Sequence, residues 1–341
     1  MLRLIRRLAA VCLAVALAVA ATRAEAAVRK ARRSRRPKPA LPSLVIPPEA
    51  SEHDRFVAEA CRRGLGSDVG SVVAMDPASG RVLAVVNPAY AVSTSYQPCS
   101  VFKIVVAIAG LSEGVITPET TIDCAGGCWM WPGHGPIDLR RALAVSCNPF
   151  FERVGERLGY NTVKTYARLL GLGAPSGINL DGETAGRVPV KVRSDQVGHL
   201  SSHAAGIATT AVQVGVLLSA AINGGTVFQP QLAAGGGFVP KERWRLPPGT
   251  VMKGLADGFL SAVNEGSAIT AFDPEVVIAG KTGTCSRVGW FASYAPAERP
   301  ELVLVVFLRW GSGHEASTVA GRIYRELSRG AAALPAVAGA Q

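Results

Sequence analysis

Charge is sparse in this chain of 341 residues: Asp, Glu, Lys and Arg make up 18% of it, against 48% hydrophobic residues. That ratio excludes a wholly disordered protein, and the composition is neither collagenous nor that of a coiled coil. Acidic residues are nearly missing from the first 40 positions, which hold eleven Lys or Arg and only Glu25. The formal net charge of +11 therefore sits almost entirely at that end, and the other 301 residues are close to neutral. A basic nucleic-acid-binding surface on the globular part is excluded on that count, so no nucleic acid is expected as a partner. There is no internal repeat. There is also no apolar run of membrane-spanning length: residues 8–21 supply fourteen small or apolar residues, short of the about 20 a helical span needs.

What is present at the N-terminus has the order of an export signal. Arg3, Arg6 and Arg7 precede the apolar run, and Ala24-Glu25-Ala26 offers a small-x-small cleavage site. Residues 1–26 are read as a secretory signal peptide, with an uncleaved membrane anchor as the alternative; either sends the bulk of the protein across a membrane. Cys12 has no lipoprotein-type site around it, and Arg6-Arg7 alone is a poor twin-arginine signal. Residues 27–50 form a basic, then Pro-rich linker with seven cations among residues 28–38. It reads as an extended tether that holds anionic lipid or wall polymer, or as a solvated spacer. Residues 51–330 are expected to form the globular domain and residues 331–341 a C-terminal tail.

Within the domain, residues 52–64 place Phe56, Val57, Ala60 and Cys61 on one helical stripe. Two β-rich runs, 71–76 and 81–86, flank a Pro-Ala-Ser-Gly turn and predict a hairpin. Residues 100–225 carry mostly helical patterns, residues 276–310 return to three strands, and residues 314–329 predict a final helix. Strands from both chain ends around a helical middle imply an α/β (α+β) fold, with one sheet built from the two ends and a helical lobe inserted between them.

Three short motifs carry chemistry. Ser100-Val101-Phe102-Lys103 opens an apolar helical stretch, so Lys103 lies one turn after Ser100 on the same face. A serine is a weak nucleophile without a neighbouring base, and this spacing supplies an amine. The bland reading is an N-cap serine and a snorkelling lysine. Ser146-Cys147-Asn148 falls between two helical patterns, where a hydroxyl and an amide can face one cavity, or merely cap a helix. Lys281-Thr282-Gly283-Thr284 closes a strand. Thr282 and Thr284 share a face, Gly283 admits a close approach, and a lysine beside two hydroxyls suits a carboxylate.

In this order and context the three motifs are those of penicillin-binding proteins and serine β-lactamases, and the chain resembles the transpeptidase domain of penicillin-binding proteins. The stretches 73–84, 142–151, 182–189, 206–213, 222–225 and 289–296 extend the likeness over about residues 70–330. The resemblance implies a helical lobe packed on an antiparallel sheet flanked by helices, with the site between them. It implies that Ser100 is acylated by a D-Ala-D-Ala stem peptide of peptidoglycan while Lys103 takes its proton. Ser146, tuned by Lys281, passes a proton to the leaving D-alanine, and Asn148 holds the peptide amide. Lys281, Thr282 and Thr284 receive the terminal carboxylate, and the amides of Ser100 and Thr284 form the oxyanion hole. β-Lactam antibiotics would acylate the same serine, and no metal or organic cofactor is called for. The length suggests a stripped-down catalytic domain on a tether. Residues 102–104 and 111–116 also resemble class D β-lactamases and β-lactam sensors, which remain the alternative. Those proteins have valine where this chain has Asn148.

Six cysteines remain beyond the apolar run: Cys61, Cys99, Cys124, Cys128, Cys147 and Cys285. An even number in an exported protein suggests disulfides. The glycines between Cys124 and Cys128 make these the candidate pair, with a zinc site including His134 as the rival, for which no fourth ligand is evident in the sequence. Cys99, Cys147 and Cys285 each adjoin a motif residue and are read either as a stiffening pair or as small apolar thiols. Trp129, Trp131 and His134 lie in a Gly-rich loop and are read as a substrate wall or as core cover. Glu183, His199 and His203 are assigned no chemistry.

Overall fold

The computed structural model describes residues 41–331 apart from Gly127, Trp129 and Val251. The expected signal peptide or anchor, most of the linker, Trp129 and all but the first residue of the tail lie outside the described residues. In chain order the elements are β1 (Leu44–Val45), α1 (Glu52–Leu65), β2 (Gly70–Met75), β3 (Arg81–Val86), α2 (Lys103–Ser112), β4 (Ile122–Ala125) and β5 (Gly133–Ile137). Next come α3 (Leu139–Ala144), α4 (Asn148–Leu169), α5 (Val197–His203), α6 (Ala211–Ile222), β6 (Thr226–Phe228), β7 (Gln231–Leu232) and β8 (Glu242–Arg245). The last are α7 (Leu255–Asn264), β9 (Ala279–Cys285), β10 (Val288–Ala295), β11 (Leu302–Arg309) and α8 (Gly313–Ala331).

The main sheet runs β1-β3-β2-β11-β10-β9, all antiparallel, with β7 added parallel to β3. Strands from the two chain ends therefore meet at β2 and β11, where Val305 stands opposite Val73. Both faces are covered, so these strands are apolar throughout instead of alternating with polar residues. Their alternation sorts side chains between two cores. Val72, Ala74, Phe291 and Val306 pack with Val57, Cys61, Val319 and Ile323 of α1 and α8. Val73, Met75, Trp290, Val305 and Phe307 pack with the helical lobe, including Val105, Ile108 and Phe150. Successive strand residues point to opposite faces, so one sheet serves both cores.

The lobe is built around α2, whose residues from Lys103 to Leu111 are all buried. A helix apolar on every side belongs in a core, and α2 packs against α4. α4 is two helical segments joined at Gly159, where φ is +73°. α6 opens on a capping box, Thr210 accepting from the Gln213 amide while Gln213 accepts from the Thr210 amide. The hairpin expected at 71–86, the early helix, the three late strands and the final helix all appear with small shifts at their ends. One element differs in kind. The Gly-rich stretch expected to be a loop forms a second hairpin, with Cys124 opposite Gly135. Gly133 is needed there, because a Cβ on it would sit 1.8 Å from the Cys124 carbonyl oxygen.

Candidate active site

Ser100 lies in a tight turn, Cys99–Phe102, that feeds directly into α2, and it is half-buried. The Lys103 amide donates to the Ser100 carbonyl, so the two residues sit one turn apart at the start of the buried helix. Pro98 before the turn and the apolar run after it explain why the helix begins here. Cys99 holds φ +54°, a left-handed conformation uncommon outside glycine. Ser146, in the connection between α3 and α4, holds φ +58°. Such conformations persist only where the surroundings fix them, and they concentrate at functional sites.

The second motif meets the first through the lysine. The Lys103 ammonium donates to the Ser146 carbonyl at 2.7 Å, to Ser146 Oγ at 3.2 Å and to Asn148 Oδ1 at 2.7 Å. The third motif arrives at the same hydroxyl: Lys281 Nζ donates to Ser146 Oγ at 2.9 Å and to the Thr282 carbonyl at 2.9 Å. Residues 103, 146, 148 and 281 are thus one hydrogen-bonded cluster drawn from α2, the α3–α4 connection, the first residue of α4 and β9. Both lysines are fully buried. Burial brings Lys103 down to about 7, against weaker opposing pulls from Cys147, Cys128, Glu152 and Cys124. Burial, and then the neighbouring charge of Lys103, brings Lys281 well below the ordinary lysine range. A site holding two such amines can keep one of them neutral near pH 7 and ready to take a proton.

The rest of the third motif runs beside the Ser100 turn. Thr282 is buried and its Oγ1 lies 2.6 Å from Ser267 Oγ. Thr284 is exposed, and its Oγ1 accepts from the Gly313 amide at 2.8 Å. At Gly283 a Cβ would come 2.7 Å from the Pro98 carbonyl oxygen and 3.2 Å from the Val101 nitrogen, so this strand and the Ser100 turn touch through backbone. That approach is why glycine occupies the position.

Several neighbours carried no local signal in the sequence. His203 ends α5 with its Nε2 3.3 Å from Asn148 Nδ2, its ring stacks on His199 at 4.4 Å, and its carbonyl accepts from Gln97 Nε2 at 2.6 Å. The Gln97 carbonyl accepts from the buried Trp290 indole at 2.9 Å. These partners come from distant parts of the chain, and nothing in the sequence around His203 announces that it faces Asn148. Glu183 serves its own loop, accepting from the amides of Ser176 and Gly177 at 2.6 and 2.9 Å. Trp131 is 89% exposed on its hairpin and does not cover the core.

The stiffening pair expected among Cys99, Cys147 and Cys285 forms, whereas the expected local pair does not. Cys99 and Cys285 form a disulfide across 186 positions. Cys124 and Cys128 are not disulfide-bonded. Both instead turn toward His134, whose Nδ1 is 3.3 Å from each sulfur. The local pair loses because the hairpin directs both sulfurs at a third group, while the Ser100 turn and the end of β9 already lie in contact.

A helical lobe laid against an antiparallel sheet, with a serine turn, two buried lysines and an asparagine gathered between them, is the architecture of the superfamily defined by the three motifs. The chain belongs to the penicillin-binding protein transpeptidase family: the family model described as penicillin binding protein transpeptidase domain matches residues 70–329. Stage V sporulation protein D of Bacillus subtilis is 28% identical over 314 residues, covering 74% of this chain and 48% of the relative. Peptidoglycan D,D-transpeptidase MrdA of Haemophilus influenzae is 26% identical over 328 residues, covering 72% of this chain and 50% of the relative. The chain spans about half the length of these curated relatives. Among solved structures, penicillin-binding protein A from Mycobacterium tuberculosis, an imipenem acyl-enzyme complex, superposes with a TM-score of 0.69 at 22% identity, covering 82% of this chain and 78% of that one. At that identity it shows the shared fold.

Proposed function

We propose that this chain is an exported serine D,D-transpeptidase or D,D-carboxypeptidase acting on D-Ala-D-Ala stem peptides of peptidoglycan. The observation that carries the reading is the shared Ser146 hydroxyl, to which Lys103 and Lys281 both donate while Lys103 also holds Asn148. Ser100 Oγ attacks the carbonyl carbon of the penultimate D-alanine, and a neutral Lys103 takes the hydroxyl proton. The carbonyl oxygen becomes an oxyanion that the Ser100 and Thr284 amides receive; preorganised donors of this kind are typically worth about 10²-fold or more in rate. Collapse breaks the peptide bond, and Ser146, poised by Lys281, delivers a proton to the departing D-alanine nitrogen. The resulting ester on Ser100 passes to an amine, giving a cross-link, or to water, giving a trimmed peptide. Thr282, Thr284 and Lys281 take the substrate carboxylate, and Asn148 the stem-peptide amide.

The alternative, a class D-like β-lactamase or β-lactam sensor, uses an apolar pocket around the lysine. The 2.7 Å contact from Lys103 to Asn148 Oδ1 favours the transpeptidase reading. A fluorescent penicillin tests it. Durable labelling that Ser100→Ala abolishes, with release of D-alanine from a stem pentapeptide, is the expected result. Rapid loss of label by hydrolysis indicates a β-lactamase. Failure to label together with failure to release D-alanine overturns the enzyme reading. Running the pentapeptide with and without an amine acceptor separates cross-linking from hydrolysis.

A further inference from the structure

The amide of Asn148 has partners on both sides, and only one of them belongs to the three motifs. Its Oδ1 accepts from Lys103 Nζ at 2.7 Å, which turns Nδ2 toward His203 Nε2, 3.3 Å away. An amide nitrogen only donates, so Nε2 has to be the unprotonated nitrogen of the ring. The neutral imidazole then carries its proton on Nδ1, which lies 2.6 Å from Ser202 Oγ. The Ser202 hydroxyl in turn reaches Glu152 Oε1 at 2.9 Å, a shorter and charge-assisted alternative to the His199 carbonyl at 3.2 Å. Donation therefore runs one way, from Lys103 through Asn148, His203 and Ser202 to Glu152. A second proton on His203 would set N–H against N–H at Asn148. Burial, and then the charges of His199 on α5 and Lys103 on α2, hold the ring below the ordinary histidine range, against a weaker opposing pull from Glu152 on α4.

We propose that His203 is a positioning residue for the second motif: neutral, with its proton on Nδ1, it takes one Asn148 Nδ2 hydrogen and so fixes the amide with Oδ1 on Lys103. The other Nδ2 hydrogen is left for the stem-peptide amide, so the inference rests on the transpeptidase reading and says how its substrate contact is aimed. Close packing of α5 on α4 brings the ring to this place. A Cβ at Gly155 would lie 2.0 Å from Ser201 Oγ, and one at Gly198 would lie 2.5 Å from Glu156 Oε1, so glycine at both positions lets the helices approach. Asn148 and Glu152 stand one turn apart on α4, within reach of the two ends of the His203 relay. The His203 backbone is held as well, its carbonyl accepting from Gln97 Nε2 and its successor Ala204 closing α5 at φ +58°. Without an acceptor at Nε2 the Asn148 amide keeps Lys103 alone and turns more freely, and misplacing a substrate contact by about 1 Å can cost about 10²-fold in rate. Ser202 and Glu152 act one step back, by holding the proton on Nδ1.

The test uses the full chain, carrying nitrogen-15 histidine, and the fluorescent penicillin. Proton–nitrogen NMR of the imidazoles, with the His203 signals assigned by their loss in His203→Gln, is expected to show this ring neutral at pH 7 with its proton on Nδ1. His203→Leu keeps the bulk and removes the acceptor; it is expected to label about 10–100-fold more slowly with its melting temperature unchanged. His203→Gln offers an acceptor at about the reach of Nε2 and is expected to restore most of the rate. In an Asn148→Ala background, which keeps Ser100 and Lys103, His203→Leu is expected to cost nothing further, because it acts through that amide. A proton on Nε2 at pH 7, or on both nitrogens, overturns the proposal. So does a wild-type rate in His203→Leu, an equal loss in His203→Leu and His203→Gln, or the full loss repeated in the Asn148→Ala background. The tautomer is read without any activity: a protein that carries the Nδ1 proton and never labels refutes the transpeptidase reading, whereas one that labels with the proton on Nε2 refutes this inference alone.

Discussion

At Ser146 two amines converge on one oxygen, and the chemistry depends on which of them is protonated. Burial makes both ammonium forms costly, and Lys103 is brought to about 7. As the proposed base, Lys103 must be neutral to accept the Ser100 proton, so the sign is fixed: acylation by a β-lactam should rise about tenfold per pH unit below 7 and level off above it. A rate independent of pH between 5.5 and 8.5, measured by stopped-flow labelling, would exclude Lys103 as the base. Lys103→Arg keeps a charge that no longer leaves at accessible pH, and acylation should fall by about 10²–10⁴-fold with the fold retained by circular dichroism. Gly283→Ala is a steric counterpart. Its Cβ would press on the Pro98 carbonyl oxygen at 2.7 Å, forcing β9 away from the Ser100 turn. Its labelling rate should drop by at least about tenfold, a loss of about 1.4 kcal/mol in transition-state stabilisation, because the proposed oxyanion donors, the Ser100 and Thr284 amides, lie on the two segments it separates.

At the level of elements, the disulfide between Cys99 and Cys285 joins the residue before Ser100 to the residue after the third motif. It closes a loop across 186 positions, for which removal of a native bridge costs about 2–5 kcal/mol. The double variant Cys99→Ser/Cys285→Ser should therefore melt roughly 5–15 °C lower and acylate more slowly, since the turn and β9 are then held by backbone contact alone. An unchanged labelling rate in that variant would reduce the bridge to a stability role. This bridge also marks the limit of what the sequence discloses. Helix α1, the first hairpin, β9 to β11 and α8 are legible because each carries its own period, two or 3.6, and its own turn residues. The three motifs are legible because their residue types and order are unusual together. Pairing Cys99 with Cys285, facing His203 to Asn148 and bringing Cys147 onto Cys124 and His134 depend on tertiary approach, which no local pattern encodes. The spacing at 124–128 suggested a local bridge because glycines allow one, yet the hairpin sends both sulfurs elsewhere.

Across the whole molecule, the basic stretch and the three motifs are segregated along the chain. Residues 27–40 carry seven cations and no acid, while the residues that follow are close to neutral. The sheet, both cores and all three motifs lie within residues 41–331. Among the described residues no helix is long and apolar enough to cross a membrane. Any attraction to an anionic surface should then come from the basic stretch, and should be screened by salt, since the Debye length falls from about 10 Å at 0.1 M to about 3 Å at 1 M. Clusters of Lys and Arg gain about 1 kcal/mol each beside an anionic leaflet, so seven are ample for measurable binding at low salt. A chain beginning at residue 27 should co-sediment with phosphatidylglycerol vesicles at 50 mM salt and release at 500 mM. A chain beginning at residue 41 should stay in the supernatant at both salts and label with penicillin at the same rate as the longer one. If the longer chain also stays in solution at low salt, the stretch is only a spacer. If the shorter one loses labelling, the basic stretch contributes to the domain itself, and the division between tether and catalyst fails.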